Sequence, residues 1–102
     1  MTIQVRVRVL TTVDTEEVNL PFCFRSGEYY LTEECVMITE DFKIVRVFLS
    51  DTHNSMVVTQ KTNEQVQEYL EDTFKKYKVK DMTVSEFQEK VKTFVSQTID
   101  KL

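Results

Sequence analysis

The sequence contains no alanine, a single glycine and a single proline. One glycine cannot supply the glycine-rich loop of a nucleotide site, whether the dinucleotide fingerprint or the phosphate-binding loop. The missing alanine has no structural explanation, although such a bias is natural in a small, fast-evolving genome such as that of a phage. The scarcity of glycine therefore argues against nucleotide cofactors, and we predict no cofactor.

Histidine and cysteine are equally scarce. The chain has one histidine, His53, and two cysteines, Cys23 and Cys35, with no C-x-x-C motif. A single histidine without a second ligand motif makes a poor zinc site, and isolated cysteines inside β-rich runs are typical of buried free thiols. Asp51 precedes His53 in a polar cluster that is typical of a turn. We therefore predict no metal site.

Catalytic groups are also hard to assemble from this sequence. A serine or cysteine nucleophile needs a nearby base that a third group holds in place, and His53 is the only histidine available. Neighbouring carboxylates such as Glu33 and Glu34 point in different directions on a strand. We predict a non-enzymatic protein without catalytic residues, and a small enzyme or enzyme subunit stays as an alternative.

Length and composition favour one ordinary globular domain. The 102 residues are 41% hydrophobic and 29% charged, with a net charge of -4. That size supports a single core without disulfides, and residues 1–61 and 62–102 predict a sheet part and a two-helix part. No apolar run approaches the roughly 20 residues of a spanning helix, and no charged-then-apolar leader opens the chain. We expect a cytoplasmic protein with no membrane contact.

The first part of the chain predicts an antiparallel meander of four to six strands. Ile3–Val9 alternates apolar and polar residues, which is typical of a strand with one buried face. The polar, acidic segment Thr11–Asn19 instead predicts a wide turn or loop. Further β-rich runs follow at Leu20–Arg25, at Glu28–Thr32 after the Ser26-Gly27 turn, and, beyond an interruption at Glu33 and Glu34, at Cys35–Thr39.

The strongest hairpin signal lies in Phe42–Gln60, where two β-rich runs flank a polar four-residue cluster. A turn centred on Thr52 and His53 would place Phe48 opposite Val57. A one-residue slip would exchange the two faces of the hairpin.

Both faces of this hairpin are largely apolar, so we expect it to be central in the sheet and covered on both sides. A two-residue turn at Glu40-Asp41 would place Met37 opposite Ile44. One face carries Val45, Val47, Leu49, Met56 and Val58, and the other carries Ile44, Arg46, Phe48, Val57 and Thr59.

After Lys61 the hydrophobic period changes to that of a helix. Thr62 with Gln65, and Thr83 with Glu86, form two capping boxes, each before an amphipathic stripe. The connection at Val79–Met82 is short, which predicts an αα-hairpin packed on the sheet. The fold class is therefore α+β.

A nucleic-acid interface is one functional alternative. Arg6 and Arg8 share the polar face of the first strand, and Arg25 and Arg46 could join them on a basic sheet face with aromatic neighbours. The competing interpretation is pairing with the many glutamates, and the net acidic charge makes nucleic acid an unfavoured partner.

A protein-interaction module accounts for more of the pattern. The second face of the hairpin, Ile44, Arg46, Phe48 and Val57, has few residues left to cover it. The N-terminal strands could fold over this face, or a second copy or a different protein could bind there. We therefore predict a small protein-binding domain, in its specific form a phage or mobile-element regulator or inhibitor of a host protein.

Overall fold

The computed structural model describes residues 1–9, 12–26, 32–50, 54–76 and 79–100, and it confirms the α+β class. Antiparallel strands are followed by two helices that pack on them, as predicted. The elements are β1 (Thr2–Val9), β2 (Thr12–Asn19), β3 (Phe22–Arg25), β4 (Thr32–Ile38), β5 (Lys43–Ser50), β6 (Ser55–Gln60), α1 (Asn63–Lys76), β7 (Lys80–Met82) and α2 (Val84–Asp100).

Strands β3 to β6 form the predicted meander within a five-stranded sheet of spatial order β6-β5-β4-β3-β7. Strands β1 and β2 form a separate antiparallel pair. The predicted loop at Thr11–Asn19 is wrong, because Thr12–Asn19 pairs with β1 along its whole length. Glu16 and Glu17 are exposed while Val18 is buried, so this acidic strand still buries its apolar side chain in the core.

Strand β4 is continuous through Glu33 and Glu34, so the predicted interruption there is also wrong. Each carboxylate has a cationic partner on a neighbouring strand: Glu33 with Arg25 at 3.3 Å and Glu34 with Arg46 at 2.9 Å. Opposite charges across strands stabilise a sheet. Most of the predicted strand at 28–32 lies outside the described residues.

The five-stranded sheet has two covered faces, which we name the α1 face and the α2 face after the helix that packs on each. Successive side chains of a strand point to opposite faces, and the two core clusters follow that alternation. On the α1 face, the cluster comprises Phe24, Val36, Ile38 and Ile44 with Val66 and Leu70 of α1 and Ile3, Val5, Val18 and Leu20 of the N-terminal segment. On the α2 face, it comprises Cys23, Cys35 and Val47 with Met82 and Phe87.

The connection between the helices differs from a tight αα-hairpin. Strand β7 lies between them and pairs with β3, with Met82 opposite Cys23. Because β7 is an edge strand of the sheet, the chain passes from one face to the other there. The two helices therefore pack on opposite faces, and part of the predicted two-helix segment belongs to the sheet.

The hairpin of β5 and β6 forms with a register that differs by two residues from the predicted one. Phe48 lies opposite Ser55, and Arg46 lies opposite Val57. A shift of two keeps every side chain on its predicted face. The predicted central position is wrong for β6, because this strand is the outer edge of the sheet.

The turn before β5 contains three residues rather than two. The Phe42 backbone N–H donates to the Thr39 carbonyl at 3.1 Å, and the Thr39 N–H donates to the Lys43 carbonyl at 3.0 Å. Phe42 has a φ of 66°, a left-handed conformation that is an outlier for a bulky residue, and it packs against the α1-face core. The additional residue places Ile38 opposite Ile44, so the predicted pairing of Met37 with Ile44 is wrong.

Both predicted capping boxes form. The Gln65 N–H donates to Thr62 Oγ1 at 3.2 Å and the Thr62 N–H donates to Gln65 Oε1 at 2.9 Å. The corresponding distances for Thr83 and Glu86 are both 3.1 Å. Helix α2 begins at Val84 as predicted. Of the helices that the structure describes, none is long and apolar enough to cross a membrane.

Candidate protein-interaction surface

The outer edge of the five-stranded sheet exposes consecutive apolar side chains. Within β6, Met56 is 42% exposed, Val57 44% and Val58 53%. Strand β6 pairs with β5 on one side, and no other described strand lies on its second side. We refer to Met56, Val57 and Val58 as the edge surface. An edge of this kind presents backbone donors and acceptors that another strand can pair with.

The strand lacks the protection that natural edges usually carry. Its sequence, Ser-Met-Val-Val-Thr-Gln, contains no charge and no proline. Lysine, proline and bulges are the common devices that keep an edge strand from pairing with other chains. The edge surface is therefore open to a partner both through its backbone and through its side chains.

On the α1 face, the edge surface continues into two residues that the sequence singled out. Arg46 lies opposite Val57, its guanidinium lies 5.0 Å from the centre of the Phe48 ring, and its Nε donates to Glu34 Oε1 at 2.9 Å. The arginine side chain is thus held in place by a cation–π contact and an ion pair. Ile44, the remaining residue of the predicted partner-binding set, is only 2% exposed and supports this surface from within the core.

On the α2 face, the helix is attached at the end of the sheet where β5 ends and β6 begins, which we call the β5–β6 turn end. Lys90 Nζ donates to Glu33 Oε2 at 3.0 Å, and Gln97 accepts a hydrogen bond from the Asn54 side-chain amide. Lys90 and Gln97 lie on one flank of α2, since seven residues are almost two turns. This attachment fixes where the helix crosses the face.

The other flank of α2 carries exposed apolar side chains. Val95 is 47% exposed and Ile99 is 61% exposed, and the helical period places both opposite the flank of Lys90 and Gln97. That flank is turned towards the part of the α2 face away from the β5–β6 turn end. The α2 face thus has apolar side chains both on its helix and, at Met56 and Val58, on its edge strand.

Glu33 pairs with two cations, one on the neighbouring strand β3 and one on α2, and the second pair links the sheet to the helix. Its carboxylate accepts from Arg25 Nη1 at 3.3 Å and from Lys90 Nζ at 3.0 Å. Burial alone raises the pKa of Glu33, but the hydrogen bonds and charges of Lys90 and Arg25 outweigh it, so the pKa lies below its usual value. The carboxylate therefore stays ionised and holds the helix on the sheet.

Both cysteines are buried and free, which confirms the predicted thiols. Burial raises the pKa of Cys23 to about 11. Burial, with the nearby carboxylate of Glu33 as the next cause, raises the pKa of Cys35 to about 12. Neutral, enclosed thiols are poor nucleophiles. The described part of the chain contains no cluster of three or more metal-ligating side chains, and the predicted turn residues Asp51 and His53 lie outside it.

The four arginines of the nucleic-acid alternative are not brought onto one surface. Arg25 and Arg46 lie on opposite faces of the five-stranded sheet, and each is paired with a glutamate. Arg6, on the separate β1–β2 pair, borders a cleft of about 240 Å³ otherwise lined by Glu64, Gln67, Glu68 and Glu71 of α1. The side chain of Arg8 lies outside the described residues.

Sequence reasoning identified Val57 but placed Met56 and Val58 on a covered face of the hairpin. It counted Val95 in the second amphipathic stripe and made no prediction for Ile99. The uncharged run of β6 was the available signal, because it lacks the protection of a natural edge. Comparison with models of known families, with curated proteins and with solved structures gave no match. The edge surface and the exposed flank of α2 are therefore the features from which a function can be inferred.

Proposed function

We propose that this protein is a non-enzymatic protein-interaction module that binds its partner along strand β6. The observation that carries the proposal is the exposure of three consecutive apolar side chains, 42% to 53%, on an uncharged edge strand. Main-chain hydrogen bonds to an added strand give affinity, and the alternate side chains give specificity.

The two faces of the edge offer a partner different chemistry. Val57 lies beside Arg46 and Phe48 on the α1 face, whereas Met56 and Val58 lie on the α2 face with no charged neighbour in the paired strand, where Val47 and Val45 oppose them. An added strand with apolar residues towards the α2 face and a hydrogen-bond acceptor towards Arg46 fits both sides. The partner is therefore a protein segment in extended conformation.

A regulator or inhibitor encoded by a phage or mobile element is the specific form of this proposal, and composition alone supports it. A cytoplasmic location belongs to the same proposal and is supported by the two free thiols.

The test is affinity capture from a lysate of the native host with three matched baits: the wild-type chain, Val57→Lys and Ser96→Lys. Lysine is the residue that protects natural edge strands, and Ser96 is an exposed position on α2. Circular dichroism first establishes that all three baits are folded. We expect the wild type and Ser96→Lys to retain a protein that Val57→Lys does not retain. That protein is either a different chain or additional copies of this one. Equal retention by Val57→Lys, or no retained protein with any bait, would contradict the proposal.

A further inference from the structure

We infer that the partner of strand β6 is a second copy of this chain, paired antiparallel about a two-fold axis that passes through Val57. This inference rests on the proposed function and names its partner. Three features that are separate in the monomer support it: the sequence of β6, the exposed side chains of its α2 face, and the exposed flank of α2.

The sequence of β6 is complementary to itself in one register. A two-fold axis perpendicular to the sheet keeps each face on the same side, so paired residues must come from the same face. An axis through Val57 pairs Val57 with its own copy, Met56 with Val58 and Ser55 with Thr59. These pairs match apolar with apolar and hydroxyl with hydroxyl, and no like charges meet.

The neighbouring same-face registers are less well matched. An axis through Val58 would place Met56 opposite Gln60 and Val57 opposite Thr59. An axis through Met56, the other neighbouring register, would place Val57 opposite Ser55 and Val58 opposite Asn54. In either case two of the three exposed apolar side chains would face polar ones. Register is specified most strongly where the apolar pattern matches. The axis through Val57 is therefore the one that the strand favours.

The same axis brings the two α2 helices onto one side of the extended sheet. Each helix crosses the α2 face and reaches the β5–β6 turn end through the contact of Gln97 with Asn54. Because the strands are antiparallel, the turn ends of the two copies lie at opposite ends of the new strand pair. The flank with Val95 and Ile99 is turned away from its own turn end, and so towards the axis and the other helix.

This arrangement would cover the apolar side chains that the monomer leaves exposed. Met56 and Val58 would lie beneath the facing helix flanks, and Val95 and Ile99 would pack between the two helices. A strand pair by itself is marginally stable in water, so the helix contact provides the additional apolar burial that a lasting dimer needs. Two five-stranded sheets would join into one.

Oligomeric state is the first measurement. Sedimentation equilibrium from micromolar to millimolar concentration should give a species of twice 12.1 kDa that dissociates on dilution. Ile99→Lys should weaken the dimer by about tenfold or more, because it places a charge in an apolar contact. Ser96→Lys should leave the dissociation constant unchanged, because Ser96 is exposed and the helical period places it opposite the buried Phe87, on the side of α2 that points away from the sheet.

Engineered cysteines test the register of the strand pair. The two native thiols should not interfere with cross-linking, because both are buried. Val57→Cys should cross-link to itself under mild oxidation, since it pairs with its own copy. Met56→Cys and Val58→Cys should each cross-link poorly alone and efficiently when mixed. Efficient self-linking of Val58→Cys, without that of Val57→Cys, would overturn the register.

A chain that is monomeric across the whole concentration range would overturn the dimer. It would not overturn the proposed function, because affinity capture tests that function separately. If the wild-type chain retains a different protein and Val57→Lys does not, β6 binds a partner other than its own copy. A dimer that Ile99→Lys and Val57→Lys leave unchanged would show that the copies associate elsewhere, and this also overturns the inference.

Discussion

Arg46 illustrates how neighbouring residues decide what a single side chain can do. In the sequence it belongs both to the predicted protein-binding face and to the basic face of the nucleic-acid alternative. The structure holds its guanidinium between the Glu34 carboxylate, at 2.9 Å, and the ring of Phe48. Its charge is therefore largely compensated, which favours a short polar contact to a protein partner over attraction of a phosphate backbone.

The two thiols give a prediction at the same scale. Cys23 and Cys35 are 3% and 0% exposed, and the pKa values of about 11 and 12 leave almost no thiolate at neutral pH. We expect neither to react with a thiol reagent in the folded protein and both to react at once in denaturant. Rapid modification of the native chain at neutral pH would contradict this burial.

The raised thiol pKa values also predict a loss of stability in alkali. The unfolded thiols ionise near their ordinary value of 9.0, whereas the folded ones stay neutral until about 11 and 12. Stability from this source is complete below pH 9.0 and is lost as the pH rises through the folded values. Urea unfolding in an alkaline series measures the decline, and a variant with both cysteines replaced by alanine should show a smaller one.

At the scale of elements, the helix starts were predictable because their signals are local. A capping box needs only residues three apart, and both boxes form with bond lengths of 2.9 to 3.2 Å. The turn at 39–42 was not predictable, because its left-handed residue is Phe42 rather than glycine or asparagine. Strand β7 has no signal in its three residues, since its pairing with β3 defines it.

Helix α2 depends on its cap. Thr83→Ala removes the side chain that accepts from the Glu86 N–H at 3.1 Å, and we expect it to lower the free energy of unfolding by about 1 kcal/mol. Chemical denaturation measures this directly. Ser96→Ala, a substitution at an exposed position in the same helix, should change it by only a few tenths of a kcal/mol.

The attachment of α2 to the sheet is predicted to be sensitive to acid. Because Lys90 and Arg25 hold the pKa of Glu33 below its ordinary 4.5, this carboxylate contributes stability above pH 4.5 and loses it as the pH falls through the lower folded value. Glu33→Gln should lower the free energy of unfolding at neutral pH by about 1 kcal/mol.

That deficit should disappear in strong acid, where the wild-type carboxyl is neutral as well. The matched control is Glu89→Gln, which breaks the exposed pair of Glu89 with Lys92 and should have little effect at any pH. A Glu33→Gln deficit that persists unchanged in acid would show that the charge is not its cause.

At the scale of the whole molecule, the fold covers one sheet with a helix on each face and leaves the six-residue edge strand β6 open to a partner. The sequence predicted that the β5–β6 hairpin is covered on both faces. Strand β5 does contribute to both core clusters, but β6 contributes to neither. The sequence did not predict that β6 is the edge, because strand order depends on which distant segments pair. Only the structure therefore shows that the sheet ends at β6, and the exposed apolar side chains of the edge surface lie on that strand.

Amide hydrogen exchange along β6 shows whether a partner adds to this edge strand. It is measured on the dilute chain and on the chain bound to its partner, whether a second copy or another protein. The edge surface predicts that Ser55–Gln60 gains more protection on binding than the exposed outer side of α1. The reason is that the outer backbone groups of β6, which pair with no described strand, would pair with the partner. If β6 exchanges as fast in the bound chain as in the free protein, and protection appears elsewhere, the partner does not bind along β6.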